Sequence, residues 1–195
     1  MEGWHLIAGL GNPGREYART RHNAGFMVAE RLAERARASW SNERKFDARV
    51  ARWERGGQKV LLVMPGTFMN ASGESVGAVA AFYQISPQQV LVVVDDADLP
   101  FGEIRMRPSG SSGGHHGLES VEQHLATREY PRLRVGIGRE AGSAREITGY
   151  VLSDFGRADR ELLDKVLTRA CDQIECWLAD GIQAAMNQFN GKVPE

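Results

Sequence analysis

The chain has 195 residues, of which 42% are hydrophobic and 25% are charged, and its formal net charge is −1. This length and composition exclude intrinsic disorder and predict a single domain over residues 1–195 that buries its core without disulfides or a structural metal. The near-zero net charge excludes a general attraction for nucleic acid, so a nucleic-acid partner would need a local basic patch.

The first 38 residues predict a strand, a glycine-rich loop and an amphipathic helix. The apolar run Trp4–Leu10 ends in glycines, which is typical of a buried strand, and apolar residues recur at helical spacing over Asn23–Ala38. The chain start lacks the basic and apolar regions of a secretory signal, and no apolar run approaches the roughly 18 residues of a membrane helix. We therefore expect a cytoplasmic protein with no membrane partner.

The middle of the chain predicts a hairpin, a second helix and a central strand. The β-rich segments Arg49–Trp53 and Lys59–Met64 are joined through a Gly-Gly turn. Apolar residues at helical spacing predict a helix over Ser72–Tyr83. The β-branched run Val90–Val94 is typical of a strand that is buried on both faces of a sheet.

The remaining segments complete an α/β pattern. We predict an edge-type strand at Glu103–Arg107, a short helix near Gly117–Ala126, a buried strand at Leu133–Ile137 and, after Arg157, a helix of about six turns. A Ser- and Gly-rich loop occupies residues 108–117. Alternating strands and helices predict an α/β fold: one domain with a twisted mixed β-sheet and helices on both faces, a three-layer αβα arrangement.

The glycines after the first strand raise the possibility of a nucleotide site. Gly9, Gly11 and Gly14 satisfy the G-x-G-x-x-G pattern of dinucleotide-binding loops. That motif requires a helix to open within the glycines and an acidic residue about twenty positions later, at the end of a second strand. Here the predicted helix begins only near Asn23, and no such acid is present. The glycines are better explained as a turn.

A histidine and an acidic cluster are candidates for acid–base chemistry. His22 lies at the mouth of the first helix, where a lone histidine is more often solvated or capping, yet histidine is well suited to accept a proton near neutral pH. Asp95, Asp96 and Asp98 directly follow the central strand. Paired with an Asp, the histidine would activate water, because the chain has no G-x-S-x-G nucleophile elbow. The three carboxylates suggest an alternative, a Mg²⁺-dependent hydrolase.

Two asparagines and a group of arginines have both structural and functional interpretations. Asn12 precedes a proline, as in a turn, and Asn70 stands where it could cap the second helix; either amide could instead orient water or stabilise an oxyanion. Arg105 and Arg107 alternate on one predicted strand, and three further arginines surround another: Arg132, Arg134 and Arg139. They form either a solvated surface or a phosphate clamp.

Five segments together resemble the bacterial-type peptidyl-tRNA hydrolases in order and approximate spacing, over about Leu6 to Asn190. They are GLGNPGREYARTRHNAG, PGTFMNASG, DDADLPFG, SGGHHGL and RLRVGIG. The first segment is a long fixed pattern and is specific by itself. The resemblance implies an α/β fold, a monomer without metal or cofactor, and hydrolysis of the ester that joins a peptide to the 3′ ribose of tRNA. It also implies that unblocked aminoacyl-tRNA is spared.

The resemblance assigns roles to residues of this chain. It implies that His22 is the general base for water, that Asp95 orients it, that Asn12 places His22 and the tRNA 3′ end, and that Asn70 positions the water and the substrate carbonyl. It also implies a substrate-binding cleft and a surface for the tRNA 5′ phosphate. The cleft residues would be Tyr17, Phe68, Met69, Asn70, His115 and His116, and the tRNA-binding residues Arg105, Arg107 and Arg134.

The chain departs from the family pattern at two positions. His116 stands where the family loop usually has the asparagine of G-G-H-N-G, and Glu119 stands where many relatives have a lysine. These departures predict altered peptide recognition and a shallower salt dependence of tRNA binding. They also leave an alternative, an RNA-binding protein of the same fold without hydrolase activity, as among chloroplast intron-splicing relatives. The retained residues argue against that alternative: Asn12, His22, Asn70 and Asp95.

Overall fold

A computed structural model describes residues 3–139 and 144–194 of the chain. Within these residues eight strands form one sheet. The strands are β1 (Trp4–Gly9), β2 (Trp40–Glu43), β3 (Ala48–Arg55), β4 (Gln58–Pro65), β5 (Val90–Asp96), β6 (Glu103–Arg107), β7 (Arg132–Gly136) and β8 (Gly191–Lys192). Their order across the sheet is β2-β3-β4-β1-β5-β7-β6-β8.

Helices cover both faces of this sheet. They are α1 (Ala24–Ala36), α2 (Ser72–Phe82), α3 (His116–Leu125), α4 (Ala144–Val151), α5 (Arg160–Asp180) and α6 (Ile182–Phe189). Alternate residues of β1 belong to different cores: Ile7 packs with residues of α1, α5 and α6, whereas Leu6 and Ala8 pack with residues of α2 and α3. The predicted three-layer arrangement is therefore confirmed. None of the described helices combines the length and apolar composition that crossing a bilayer requires.

The sheet is mixed, and its parallel centre brings the chemical residues to one edge. β1 pairs in parallel with β4 and β5, and β5 pairs in parallel with β7. The outer pairs β2–β3, β3–β4, β6–β7 and β6–β8 are antiparallel. Gly9 is opposite Val93, so the chain leaves β1 and β5 at neighbouring points of the same edge. The loop that follows β1 and the acidic cluster that follows Val94 therefore meet.

The sequence-based boundaries differ from the structure at a few places. The first helix begins after a 3-10 turn over Arg21–Asn23 and ends at Ala36, because Arg37 adopts a left-handed conformation with φ 52°. The long C-terminal helix predicted after Arg157 is confirmed and corresponds to α5. Sequence patterns did not predict β2, α4, α6 or β8, which are short elements of two to eight residues. Such elements carry too few periodic positions to stand out.

Two glycines allow α1 to lie directly on the sheet. A Cβ atom at Gly25 would overlap the carbonyl oxygen of Val93, and one at Gly9 would overlap the carbonyl oxygen of Gly25. The first turn of α1 therefore contacts the backbone of β1 and β5 with no side chain between them. His22 lies two residues before the start of α1 at Ala24. The contact of α1 with the sheet therefore also fixes the position of His22 relative to the sheet edge.

We expect Gly25→Ala to destabilise the fold by about 1–3 kcal/mol or more, because the added methyl must push α1 away from β5. The matched control is Gly149→Ala in α4, where a Cβ meets open space. That control should be neutral or stabilise the protein by about 1 kcal/mol, since alanine is the better helix former. Urea unfolding measures both. Equal stability of Gly25→Ala and the unmodified protein would contradict the close contact.

Candidate active site

The candidate active site is a cleft at the carboxyl ends of β1 and β5. Four side chains converge there: Asn12 from the loop after β1, His22 from the 3-10 turn before α1, Asp95 from β5, and His115 immediately before α3. All four line one cavity of about 430 Å³. The sequence placed these residues on separate segments, and the parallel register of β1 and β5 brings them together.

His22 is held by both oxygens of one buried carboxylate. Its Nδ1 lies 2.9 Å from Oδ1 and 2.9 Å from Oδ2 of Asp95. Asp95 is 2% exposed, and the side chain of His22 is 16% exposed. Since an ionised carboxylate only accepts hydrogen bonds, Nδ1 carries the proton and donates it. The Nε2 atom of His22 is therefore left with a lone pair, as a general base requires.

His115 has its tautomer fixed in the opposite sense. Its Nδ1 accepts the backbone N–H groups of Gly117 and Leu118, at 3.1 and 3.3 Å, and so caps the N-terminus of α3. The proton of the neutral ring must then be on Nε2, which lies 2.9 Å from Oδ1 of Asp95. His115 therefore donates to Asp95. This second donor was not anticipated as such, because the sequence indicated His115 only as a substrate contact.

The surroundings of Asp95 favour its ionised form. Burial by itself raises the pKa of this carboxyl. The hydrogen bonds of His115 and His22, and the positive charge that these rings carry when they are protonated at acid pH, outweigh burial and lower the pKa of Asp95 from 3.8 to about 2. Asp95 is thus a carboxylate throughout the neutral range. A negative charge at this position stabilises the imidazolium that forms when His22 takes up a proton.

The same three side chains also satisfy the distances of a metal site. One ligand atom from each of His22, Asp95 and His115 lies within 4.8 Å of the others. The donor set does not fit a cation, however, because the Nδ1 lone pair of His115 is already used in capping α3 and its Nε2 therefore carries a proton. A metal would have to displace that proton and the hydrogen bond to Asp95. The cluster is better described as a hydrogen-bonded relay.

The acidic residues that follow Asp95 also do not combine into a Mg²⁺ site. Asp96 lies 3.8 Å from the guanidinium of Arg134, and Asp98 lies 2.9 Å from that of Arg139. Asp95 is occupied by two imidazoles. The three carboxylates thus have separate cationic or hydrogen-bonding partners, whereas a Mg²⁺ site needs oxygen ligands that converge. This geometry disfavours the Mg²⁺ alternative raised by the sequence.

Asn12 connects three segments of the site. Its backbone N–H donates to Oδ1 of Asn23 at 2.8 Å, and Nδ2 of Asn23 donates back to the Asn12 carbonyl at 3.0 Å. Its side-chain Oδ1 accepts the backbone N–H of Met69 at 2.8 Å. Asn12 therefore influences His22 through its chain neighbour Asn23, which sequence reasoning overlooked. The side-chain amide nitrogen of Asn12 has no protein partner among the described residues and remains a donor on the cleft.

The segment that contains Asn70 lies beside the cleft. Asn70 is exposed, in a 3-10 turn over Met69–Ala71, and Ala71 occupies the N-cap position of α2. The interpretation of Asn70 as an N-cap is therefore wrong. Met69 is 4% exposed and packs in the core between α2 and α3, so it supports the cleft from below. None of these residues lines the 430 Å³ cavity itself.

An aromatic pair, formed by exposed Phe68 and partly buried Tyr17, stands next to Asn70. Phe68 is 58% exposed, and its ring contacts that of Tyr17 edge to face, with ring centroids 6.3 Å apart. The pair joins the loop after β1 to the segment before α2. The pair therefore presents aromatic surface where these two segments meet.

His116 and Glu119 contact each other at the start of α3. Nδ1 of His116 lies 2.9 Å from Oε2 of Glu119, across the first turn of α3. The side chain of His116 is 75% exposed and that of Glu119 50% exposed. His116 also lines the cavity that contains His22 and Asp95. The pair therefore forms part of the rim of the candidate active site.

The antiparallel register of β6 and β7 gathers the predicted basic residues. Arg105 is opposite Arg134, and Arg107 is opposite Arg132. Arg105 and Arg107 are exposed, whereas Arg134 donates to the Ser111 carbonyl at 2.7 Å and also lines the cleft. Because like charges that face each other across strands repel, this arrangement favours a bound anion.

Arg132 has a different, structural role. It is 1% exposed, and its guanidinium donates to the carbonyls of Tyr130, Ser111 and Arg128 at 3.0 to 3.2 Å. It also stacks over the ring of Tyr130, with Cζ 4.2 Å from the ring centroid. This side chain therefore anchors the Ser- and Gly-rich loop to the sheet.

Comparisons with known proteins agree along the whole chain. The sequence model of the family described as Peptidyl-tRNA hydrolase matches residues 6–195. A peptidyl-tRNA hydrolase of Synechococcus sp. (strain JA-3-3Ab) is 48% identical over 185 residues, which are 95% of this chain and 82% of that protein. One of Listeria welshimeri serovar 6b is 44% identical over 185 residues, 95% of this chain and 99% of that protein. The crystal structure of peptidyl-tRNA hydrolase from Acinetobacter baumannii has a TM-score of 0.93 and 38% identity, covering 100% of this chain and 98% of that one.

The lowered pKa of Asp95 predicts a specific acid response. Since the folded-state pKa of about 2 is below the ordinary value of 3.8, the carboxylate contributes stability above about pH 4, and this contribution is lost as the pH falls from about 4 towards 2. Asp95→Asn removes the titrating group, so its free energy of unfolding should depend less steeply on pH across that window. Urea unfolding at several pH values gives the slopes. Identical slopes would show that Asp95 is not stabilised as its carboxylate.

Proposed function

This chain belongs to the peptidyl-tRNA hydrolase family and hydrolyses peptidyl-tRNA, and we propose that it does so with a water molecule activated by His22 and Asp95. The bond that breaks is the ester between the peptide and the 3′ ribose, and the reaction returns free tRNA to translation. The observation that carries this proposal is the contact of His22 Nδ1 with both oxygens of Asp95. It leaves Nε2 as the basic atom on the cleft.

The proposed reaction needs no covalent enzyme intermediate. Nε2 of His22 takes a proton as the water oxygen bonds to the ester carbonyl carbon, and the carbonyl oxygen becomes an oxyanion. Asp95 stabilises the imidazolium through its charge. The tetrahedral intermediate then expels the ribose 3′ oxygen, which receives the proton that His22 had taken. The products are tRNA with a free 3′ hydroxyl and a peptide carboxylic acid, which releases its proton to solvent at neutral pH.

Two asparagines are proposed to support these steps. The amide nitrogen of Asn12 is a free donor on the cleft, suitable for the oxyanion or the 3′ ribose, because Oδ1 is already held by the Met69 N–H. We assign to Asn70 the positioning of the water and the substrate carbonyl. Asn70 is exposed beside the cleft, so this role requires its side chain to approach the bound substrate.

The peptide portion of the substrate is proposed to lie along the cleft rim. Exposed Phe68 and partly buried Tyr17 offer an aromatic surface, and His115 and His116 line the cleft itself. Met69 supports this region from the core. The role of His115 as a contact would be limited to its ring edge, since both of its nitrogens have protein partners.

The acceptor end of tRNA is proposed to bind along β6 and β7. Arg105, Arg107 and Arg134 would grip the 5′ phosphate, because planar guanidiniums match phosphate oxygens in charge and shape. Arg134 lines the cleft, so this surface is continuous with the reaction site. The overall charge of −1 gives no general attraction, which makes the local patch responsible for electrostatic recognition.

The remaining expectations follow from this chemistry. The base, its orienting carboxylate and the amide donors are all side chains of one chain, which supports a monomer that works without a cofactor or metal. Ribosomes supply peptidyl-tRNA in the cytoplasm, so we place the protein there. The alternative function is RNA binding without hydrolysis. It predicts that the protein binds N-acetyl-aminoacyl-tRNA but does not release the tRNA from it.

We expect His22→Ala to lower the release of tRNA from N-acetyl-aminoacyl-tRNA by about a thousandfold, because general-base catalysis and the Asp95 relay are lost together. The control is His124→Ala in α3, whose ring hydrogen-bonds the Ser120 carbonyl outside the cleft and should be dispensable. Both rates come from single-turnover assays on purified protein. Retention of most activity by His22→Ala would refute the mechanism. Binding without cleavage by the unmodified protein would favour the RNA-binding alternative.

Arg105→Ala is expected to weaken tRNA binding and to reduce the slope of log affinity against log salt by about one, as the loss of one phosphate contact predicts. The control is Lys165→Ala, which removes an exposed cation from α5, the helix that packs on the opposite face of the sheet. That variant should keep the original slope. Filter binding of deacylated tRNA at several salt concentrations measures the effect. Equal slopes for the two variants would place the phosphate elsewhere.

A further inference from the structure

We infer that Glu119 is a positioning residue, which fixes the tautomer of His116 so that this histidine accepts a hydrogen bond from the amide N–H next to the scissile ester. The inference rests on the proposed function, since it concerns how the same cleft recognises the peptide portion of peptidyl-tRNA. It adds a specificity-determining pair to the residues that carry out the reaction.

The geometry of the pair leaves one ring nitrogen of His116 available. Nδ1 of His116 lies 2.9 Å from Oε2 of Glu119, whereas Nε2 has no hydrogen-bond partner within residues 3–139 and 144–194. His116 is the first residue of α3 and Glu119 stands three positions later, so both side chains lie on the same side of the helix. The ring reaches the cavity that holds His22.

The carboxylate decides which nitrogen of the neutral ring carries the proton. A carboxylate accepts but cannot donate, so the contact with Glu119 requires a proton on Nδ1 of His116. Nε2 is then a lone-pair acceptor. Without Glu119, nothing in the described structure prevents the proton from moving to Nε2, which would turn an acceptor on the rim into a donor.

The substrate offers a matching donor at one place. The ester carbonyl that His22 addresses belongs to the last amino acid of the peptide, and the amide N–H of that amino acid is two bonds away from the carbonyl carbon. A neutral acceptor on the cleft rim suits this neutral donor, because the hydrogen bond forms without burying an uncompensated charge. Binding would also exclude water from the exposed His116–Glu119 pair and strengthen it.

The cleft therefore contains three histidines with assigned proton positions. His22 and His116 each give the Nδ1 proton to a carboxylate and keep a basic Nε2. His115 gives its Nε2 proton to Asp95 and accepts backbone N–H groups at Nδ1. Glu122, one turn after Glu119, provides a matched control, because its carboxylate contacts Arg128 and does not line the cleft.

The first experiment reads the tautomer directly. Imidazole ¹⁵N chemical shifts of the protein, recorded at a pH where His116 is neutral, should show a protonated Nδ1 on His116. Glu119→Ala should move the proton to Nε2, and Glu122→Ala should leave the spectrum of His116 unchanged. A protonated Nε2 in the unmodified protein, or an unchanged tautomer in Glu119→Ala, would overturn the inference.

The second experiment tests recognition of the N–H group. N-acetylalanyl-tRNA is compared with O-acetyllactyl-tRNA, in which an ester oxygen replaces the amide N–H. The unmodified protein should favour the amide substrate by about fivefold in kcat/KM, the usual value of one hydrogen bond. Glu119→Ala and His116→Ala should each remove this preference, and adding Glu119→Ala to His116→Ala should change nothing further. Glu122→Ala should keep the full preference, and Glu119→Gln, whose amide oxygen also accepts, should retain part of it.

These outcomes separate the inference from the proposed function. Hydrolysis of both substrates with an unchanged preference in Glu119→Ala refutes the role of the pair while the proposed function stands. Failure of the unmodified protein to hydrolyse either substrate refutes the proposed function, and the inference falls with it. A general loss of stability cannot imitate the expected result, because the ratio between two substrates is measured on the same folded protein.

Discussion

An ionised carboxylate that is removed from water is stable only if donors replace the water around it. Asp95 meets this condition with two imidazoles, His22 on one side and His115 on the other. The requirement reaches well beyond the cleft. To supply these donors, β5 must end beside the turn that carries His22. In addition, α3 must begin where His115 can both donate to the carboxylate and cap the helix. The chemistry and the fold are thus joined at one buried charge.

The contact between His22 and Asp95 in turn depends on close backbone packing around His22. His22 holds its position because α1 lies directly against β1 and β5, and that approach is possible only without side chains at Gly9 and Gly25. Asn12 and Asn23 join the same region by reciprocal hydrogen bonds. The glycines that resemble a nucleotide-binding loop therefore allow the close packing that positions His22. Their spacing reflects close packing in a different architecture.

The elements with long periodic patterns could be predicted from the sequence. The sequence also indicated His22 and Asp95 as candidates for one site, and the structure brings these two side chains into contact. Val90–Val94 and α5 carry clear burial patterns, and the motifs around His22 and Asp95 are long. The cap formed by His115, the link through Asn23 and the contact of His116 with Glu119 depend on backbone positions that no single segment encodes. Short elements such as β2 and β8 are stabilised by pairing with other strands. Their own residues therefore carry little sequence signal that would predict them.

The buried guanidinium of Arg132 shapes more than the loop that it holds. Its hydrogen bonds go to carbonyl groups rather than to a carboxylate, so its positive charge stays uncancelled beneath the surface formed by Arg105, Arg107 and Arg134. Salt screens the interactions of a buried charge with its neighbours inside the protein less than it screens those between exposed charges. In a chain with a formal net charge of −1, four guanidiniums are therefore concentrated on two neighbouring strands, and one of them is buried.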